Sequence, residues 1–368
     1  MPPTPRTKIG LVGCGAISPA YFKGLKPYAF LEVAACADLD LERAKTRATE
    51  FGISRACTVE ELFATPDLEI VVNLTIPSAH ASVALKAISE GKSVISEKPL
   101  ALNREEGLRV LEAAKKKGVR VGCAPDTFLG AGIQTSRKLL DDGWIGAPVG
   151  ATAFMLCAGH ERWHPSPEFY YQRGGGPLFD MGPYYLTSLI NLLGPVARVA
   201  AFAKKTHPTR VIASEPKRGQ VISVEVPTHA SASLEFRNGV IGTLIMSFDV
   251  WAHTLPCIEI YGTEGSLSLP DPNGFGGVIR LRRKENKDWG EIPHAFPERS
   301  RGAGPADMAK ALQSGRPHRA SGELAFHVLD VMCAIHESAE AERAIDVRST
   351  CDRPAPLPLD LVAEEMDA

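Results

Sequence analysis

The chain has 368 residues, with 41 Lys and Arg against 43 Asp and Glu and a formal net charge of −2. Hydrophobic residues make up 44% and charged residues 23%, globular proportions that exclude a wholly disordered chain. The balanced charge gives no electrostatic case for nucleic acid or an anionic membrane, and the length predicts two domains.

The first third alternates short apolar runs with helical patterns. Lys8–Val12, Leu31–Ala37, Ile70–Leu74, Ser93–Ser96 and Arg120–Cys123 read as strands. Helices are expected over Ala16–Leu25, Leu41–Phe51, Ser78–Glu90 and up to Lys117. Thr58-x-x-Glu61 has the form of a capping box, and Asn103-x-x-Glu106 is a variant of it. This alternation predicts βαβ units and a parallel sheet.

After about Pro125 the texture changes. A helix over Ile133–Asp141 precedes strand-like runs at Val149–Cys157, Val196–Ala203, Thr228–Phe236, Val240–Val250, Pro256–Gly262 and Ser266–Leu269. Asn238-Gly239 is a hairpin signal. Helices are expected over Asp180–Leu193, Pro305–Ser314 and Ser321–Glu340. The pattern predicts the α/β class: βαβ units with a parallel sheet over 1–124, then a mostly antiparallel α+β region over 125–348. The proline-rich, then acidic, tail over 349–368 is expected to be loosely held.

The first residues have no apolar core, so no secretory leader is expected, and no apolar run reaches the roughly 20 residues of a membrane span. None of the eight cysteines forms a C-x-x-C pair. Buried thiols in a reducing cytoplasm explain them better than disulfides or zinc.

Gly13-Cys14-Gly15-Ala16-Ile17-Ser18 joins the first strand to the first helix. Gly13 permits the tight turn, and Gly15 lets the backbone approach a pyrophosphate at the helix N-terminus. Ser18 stands where the fingerprint has its third glycine. Asp38 ends the second strand, about 20 residues on. A carboxylate there accepts from an unphosphorylated ribose and repels a 2′-phosphate, so NAD is expected rather than NADP. Asp38 is also a candidate cap for the next helix. Lys98 ends the strand over Ser93–Ser96, where open α/β sheets place their ligands. It is suited to hold a substrate oxygen and stabilise negative charge on it.

Gly13-Cys14-Gly15-Ala16-Ile17, Ile76-Pro77-Ser78-Ala79-His80, Glu97-Lys98-Pro99 and Gly174-Gly175-Gly176-Pro177-Leu178-Phe179-Asp180-Met181-Gly182 together resemble the glucose–fructose oxidoreductase, inositol dehydrogenase and MocA family. The resemblance runs from about Lys8 to about Ile345. It implies a Rossmann domain, an open-sheet second domain, a nicotinamide cofactor and oxidation or reduction of a sugar or polyol. It also implies site roles. Gly13, Gly15, Ala16 and Ile17 match the pyrophosphate turn, and Asp38 the ribose carboxylate. Thr75, Pro77 and His80 match the loop lining the cofactor. Glu97 matches a residue on the nicotinamide side, Lys98 the catalytic lysine and Asp180 the active-site aspartate. The Lys98–Pro99 bond is expected to be cis.

One departure is Tyr184, where many members carry a histidine as general base. Asp180 and Tyr184 still share a helix face at i, i+4. Tyrosine's pKa of about 10 is high for a base at neutral pH, but a lysine ammonium nearby would lower it. Tyr184, Asp180 and His164 all stand as candidate proton acceptors. Asp126, after a predicted strand, is a candidate for binding substrate hydroxyls. The segment Gly159–Tyr171 is dense in polar aromatics and fits a sugar-stacking lid, with Trp163 and His164 as its candidate contacts. His160 and His164 have a zinc-like spacing only on a helix, which Pro165 and Pro167 oppose, so no metal is expected.

The resulting expectation is an NAD-dependent dehydrogenase or reductase acting on CH–OH groups of a carbohydrate, polyol or glycoside. A glycoside-cleaving enzyme using transient oxidation, and a non-catalytic sugar or nucleotide sensor, are the alternatives; the sensor is disfavoured by Lys98. A homodimer or homotetramer through the second domain's sheet is expected, with the strands Thr243–Val250 and Ile258–Tyr261 supplying the apolar face.

Overall fold

The structure is a computed structural model that describes residues 6–367. The chain divides into two compact units. The first holds the chain up to Ala131, Ala295–Phe326 and the segment from Pro354 onward. The second holds Gly132–His294 and His327–Arg353. The division is discontinuous, unlike the sequential boundaries expected from the sequence.

In the first unit six strands form one parallel sheet: β1 (Thr7–Val12), β2 (Leu31–Ala37), β3 (Ala56–Cys57), β4 (Ile70–Asn73), β5 (Ser93–Ser96) and β6 (Val121–Cys123). Their order is β3-β2-β1-β4-β5-β6, the dinucleotide-binding arrangement. β4 and β5 are buried throughout, as strands covered on both faces must be. The crossover helices are α1 (Ser18–Leu25), α2 (Leu41–Phe51), α3 (Val59–Phe63), α4 (His80–Ser89) and α5 (Arg104–Lys117). The Thr58–Glu61 capping box opens α3, and Asn103 caps α5 by accepting from the Glu106 amide. Asp40, not Asp38, caps α2.

A late helix, α8 (Ala303–Ser314), packs on α1, β4 and β6 and so belongs to this unit. The tail is docked here rather than loosely held. Asp367 accepts a two-point bond from Arg319 (2.8 and 2.9 Å), Arg319 also reaches Asp307, and Leu357 and Met366 are buried. Bidentate Arg–carboxylate pairs combine charge with fixed geometry, which explains the ordering of so polar a segment.

The second unit is built on nine strands: β7 (Pro148–Leu156), β8 (Val196–Lys204), β11 (His229–Phe236), β12 (Ile241–Ser247), β13 (Ile258–Gly262), β14 (Gly265–Leu269), β15 (Ile279–Arg283), β16 (Gly290–Ile292) and β17 (Ile345–Asp346). The order is β16-β15-β14-β13-β7-β12-β11-β8-β17, antiparallel except for β7 with β12. A separate small ribbon pairs β9 (Thr209–Val211) with β10 (Val221–Ser223). Asn238-Gly239 turns β11 into β12, with Gly239 at φ +87°. The helices are α6 (Ala131–Asp141), α7 (Gly176–Leu193) and α9 (Gly322–Ala341).

Alternate residues of the large sheet, among them Ala153, Leu244, Met246, Ile258 and Ile260, are buried, and α7 packs against β7, β11 and β12. The other face carries small and polar residues with a few apolar ones. One row runs Phe202, Ser231, Ile245, Phe154; the next runs Ala200, Ser233, Thr243, Thr152, Glu259. Phe202 is 80% exposed and Ile241 52%. The apolar residues Ile258 and Ile260, expected on the open face, therefore point the other way. Among the described residues no helix is long and apolar enough to cross a membrane.

Candidate active site

The first unit carries the nucleotide-binding features. Gly13 has φ +99°, and a Cβ there would lie 2.7 Å from the Leu74 backbone, so only glycine fits. Gly15 is different: a Cβ would meet nothing within 4 Å. Open space therefore lies over the turn. No side chain caps the start of α1, where Ile17 is the N-cap; Ser18 instead bonds back to the Gly15 carbonyl at 2.8 Å. The Ser18 and Ala20 amides bond back to the Gly15 and Ile17 carbonyls at 3.3 and 3.0 Å, so the feature that fits a pyrophosphate is the open cradle over Gly15.

Asp38 is buried, and its carboxylate is held in place. Oδ2 accepts from the Cys14 amide at 2.7 Å; Oδ1 accepts from the Asp40 amide at 2.9 Å and from Arg43 at 3.3 Å. Because Asp40 takes the capping of α2, the Asp38 carboxylate is left to fix the turn. Arg43 lies in the next helix in sequence yet reaches this carboxylate, a contact that the i, i+5 spacing did not announce.

At the carboxyl ends of β4 and β5, Asn73 ties three segments together. Its amide donates to the His80 carbonyl and to Ser96 Oγ, both at 3.1 Å, and its carbonyl accepts from Thr75 Oγ1 at 2.6 Å. The sequence signal was a polar residue closing a fully buried strand. His80, expected to line the cofactor, is 1% exposed. Its ring nitrogens face the carbonyls of Pro99 (2.7 Å) and Thr75 (2.9 Å), so it braces the loop around Thr75 and Pro77 against the Lys98-Pro99 segment. Burial pushes the His80 pKa down, against those two carbonyls. The Lys98–Pro99 bond is cis. Glu97 is buried and accepts from Tyr21 Oη at 2.8 Å and from the Lys98 amide at 3.0 Å. The backbone carrying Lys98 is thus fixed from two sides.

Asp126 is not presented to a ligand. It is 1% exposed, and Oδ2 accepts from the Gly302 and Gly304 amides at 2.9 and 3.0 Å, capping α8. Burial raises its pKa, against Arg301 and the two amides. This corrects its reading as a hydroxyl-binding residue: a buried carboxylate with two amide donors is doing the work of a helix cap.

The second unit carries a polar–aromatic cluster. Asp180 and Tyr184 lie one turn apart on α7. Asp180 Oδ2 is 3.1 Å from His160 Nε2, a pairing that the 20-residue separation concealed. The His160 ring packs among Trp163, Tyr170 and Phe248 at centroid distances of 4.4–5.2 Å. Trp163 is 61% exposed, and its indole N–H donates to His160 Nδ1 at 3.2 Å. His164 Nδ1 accepts from the Ser166 amide at 3.1 Å, and burial pushes its pKa down. In the neutral ring Nε2 then carries the proton, which leaves no ring lone pair for a substrate proton. Glu161 is buried against Arg210 at 2.9 Å and also accepts from Tyr171 Oη. Among the described residues no three His, Cys, Asp or Glu side chains converge as metal donors.

Residues 7–124 match the family model of the oxidoreductase family with NAD-binding Rossmann fold, and residues 133–268 match the GFO/IDH/MocA C-terminal domain. The chain belongs to the Gfo/Idh/MocA oxidoreductase family. It binds NAD through the Rossmann unit described above. A 1,5-anhydro-D-fructose reductase of Ensifer adhaerens is 29% identical, over 70% of this chain and 74% of its own. An inositol 2-dehydrogenase of Burkholderia lata is 25% identical, over 95% and 98%. A levoglucosan dehydrogenase solved in complex with NADH has a TM-score of 0.81 at 21% identity, over 94% of this chain and all of that one, and so shares the fold.

Proposed function

We propose that this protein is an NAD-dependent dehydrogenase or reductase acting on a CH–OH group of a sugar or polyol. One observation carries the reading. The carboxylate ending β2 is bonded to a glycine turn whose second glycine leaves an open cradle over an uncapped helix start. The family, and the sugar and polyol names of the relatives above, support the substrate class.

NAD held at that turn by its pyrophosphate would supply, in its nicotinamide, the acceptor for a hydride from the carbinol carbon. The chain's own groups handle the oxygen and the proton. The Lys98 ammonium donates to the substrate oxygen and stabilises the charge that grows there. Tyr184 accepts the hydroxyl proton, and the Asp180 carboxylate anchors a substrate hydroxyl. Trp163 and its aromatic neighbours offer faces on which a sugar ring stacks. His164 serves there as packing rather than as the base.

The protein also self-associates through the open sheet face, where Phe202, Ile245 and Phe154 form an apolar row. Light scattering on Phe202→Asp checks this: a smaller species than the parent supports it, and an unchanged mass counts against it. The free thiols of Cys14, Cys36, Cys57 and Cys123 fit a reducing cytoplasm.

The activity is tested by following near-ultraviolet NADH absorbance with a panel of sugars, polyols and glycosides, and with NAD and NADP in parallel. NAD-dependent absorbance change with at least one polyol or sugar is expected. A glycoside consumed with no net NADH would replace oxidation by elimination.

A further inference from the structure

We infer that His160 is a positioning residue for Asp180, with its tautomer set by Trp163. This rests on the reading of Asp180 given above, but its geometry stands independently.

An indole N–H only donates. Trp163 Nε1 lies 3.2 Å from His160 Nδ1, so that nitrogen offers its lone pair and carries no proton. The proton of the neutral ring then sits on Nε2, aimed at Asp180 Oδ2, 3.1 Å away. His160 thus donates to the carboxylate and has no lone pair left to act as a base. A histidine whose second nitrogen is fixed by another group is the usual way a ring is held to one task.

The surroundings hold the ring in this pose. Trp163, Tyr170 and Phe248 pack around it. The next residue, Glu161, is clamped by Arg210, and its carbonyl accepts from the Ala213 amide at 2.9 Å. A donor fixed in this way holds Asp180 in one rotamer, ready to accept from a substrate hydroxyl. Trp163 is both the exposed aromatic face and the lock on the tautomer. Loss of its N–H alone is therefore felt at Asp180.

The test joins nitrogen-15 NMR of the histidine rings with steady-state kinetics. The parent protein is expected to show His160 as the Nε2–H tautomer, with that resonance shifted by Asp180→Asn. Trp163→Phe keeps an aromatic ring at an exposed position and removes only the donor; it is expected to give a mixture of tautomers. With a confirmed substrate, His160→Ala is expected to lower kcat about ten- to a hundredfold, the range for lost outer hydrogen-bond partners. The NAD dissociation constant should stay unchanged. His160→Gln, which keeps an amide donor, is expected to recover most of the loss. An Nδ1–H tautomer in the parent, or a Gln variant no better than the Ala variant, overturns the inference. A normal kcat in Asp180→Asn instead sinks the catalytic use of Asp180, while the tautomer result still decides the role of His160.

Discussion

The Cys14 amide donates to Asp38 Oδ2 at 2.7 Å, so the residue between the two glycines of the turn is bonded directly to the carboxylate that ends β2. The glycine turn and this carboxylate are thus joined in one piece. Arg43 closes on the same carboxylate from α2 and is half exposed. While Asp38 is present, its charge neutralises Arg43 and repels a 2′-phosphate.

Asp38→Ser leaves Arg43 only its exposed pair with Asp40 at 3.5 Å and is expected to raise NADP affinity by about tenfold or more, equivalent to roughly 1.4 kcal/mol. NAD affinity should fall. Adding Arg43→Ala should remove the gain. Titration of each variant with both cofactors checks this; a parent that binds NADP as tightly as NAD contradicts the premise.

The two glycines of the turn should separate fold from binding. Gly13→Ala places a Cβ against the Leu74 backbone at a positive φ, so its melting temperature should fall clearly. Gly15→Ala has room and should melt like the parent, yet its methyl fills the cradle, so NAD should bind at least tenfold more weakly. Thermal melts beside cofactor titrations read both effects. Equal NAD binding in Gly15→Ala would move the pyrophosphate elsewhere.

Stability should fall in mild acid through His327. The residue is fully buried, and the Val196 amide donates to its Nε2 at 3.0 Å, so the ring is held neutral. Burial pushes its pKa down to about 4. The unfolded chain takes up this proton near pH 6.5, the native chain only near pH 4. The stabilisation is present above about pH 6.5 and is lost as pH falls toward 4, by roughly 3 kcal/mol. Burial lowers the His318 pKa with the same sign. Denaturant melts across this range should show the decline, and His327→Gln should flatten part of it.

Tyr184→Phe removes one hydroxyl from a buried ring on α7. In its proposed role as proton acceptor, Tyr184 would contribute at the general-base scale of about 10²–10⁴ in rate, so kcat should drop by at least tenfold with KM little changed. Steady-state kinetics with a confirmed substrate decides it. A kcat within a few-fold of the parent would confine Tyr184 to shaping the pocket.

Much of the first unit was legible because its signals are local. The glycine turn, the capping box at Thr58 and Glu61, and the apolar strands each declare themselves within a few residues. The Asn238-Gly239 hairpin was legible for the same reason. What escaped was long-range. Asp126 reads in the sequence as a candidate for substrate hydroxyls, but its partners Gly302 and Gly304 lie 176 and 178 residues on. That same contact brings α8 into the first unit, against the sequential boundary. Asp367 made the tail look merely acidic until Arg319 was seen beside it. His160 looked like half of a failed metal pair, because nothing in its spacing points to Asp180. The short strands β9, β10 and β16 are too brief to show a period.

Steady-state kinetics on Lys98→Met, with NAD binding measured alongside, tests the central claim most directly. The substitution keeps the stem length and removes the ammonium to which the proposed mechanism assigns the substrate oxygen. The account predicts a kcat lower by about 10²–10³ with NAD affinity within a few-fold of the parent. A near-normal kcat, or a loss confined to NAD binding, would contradict it.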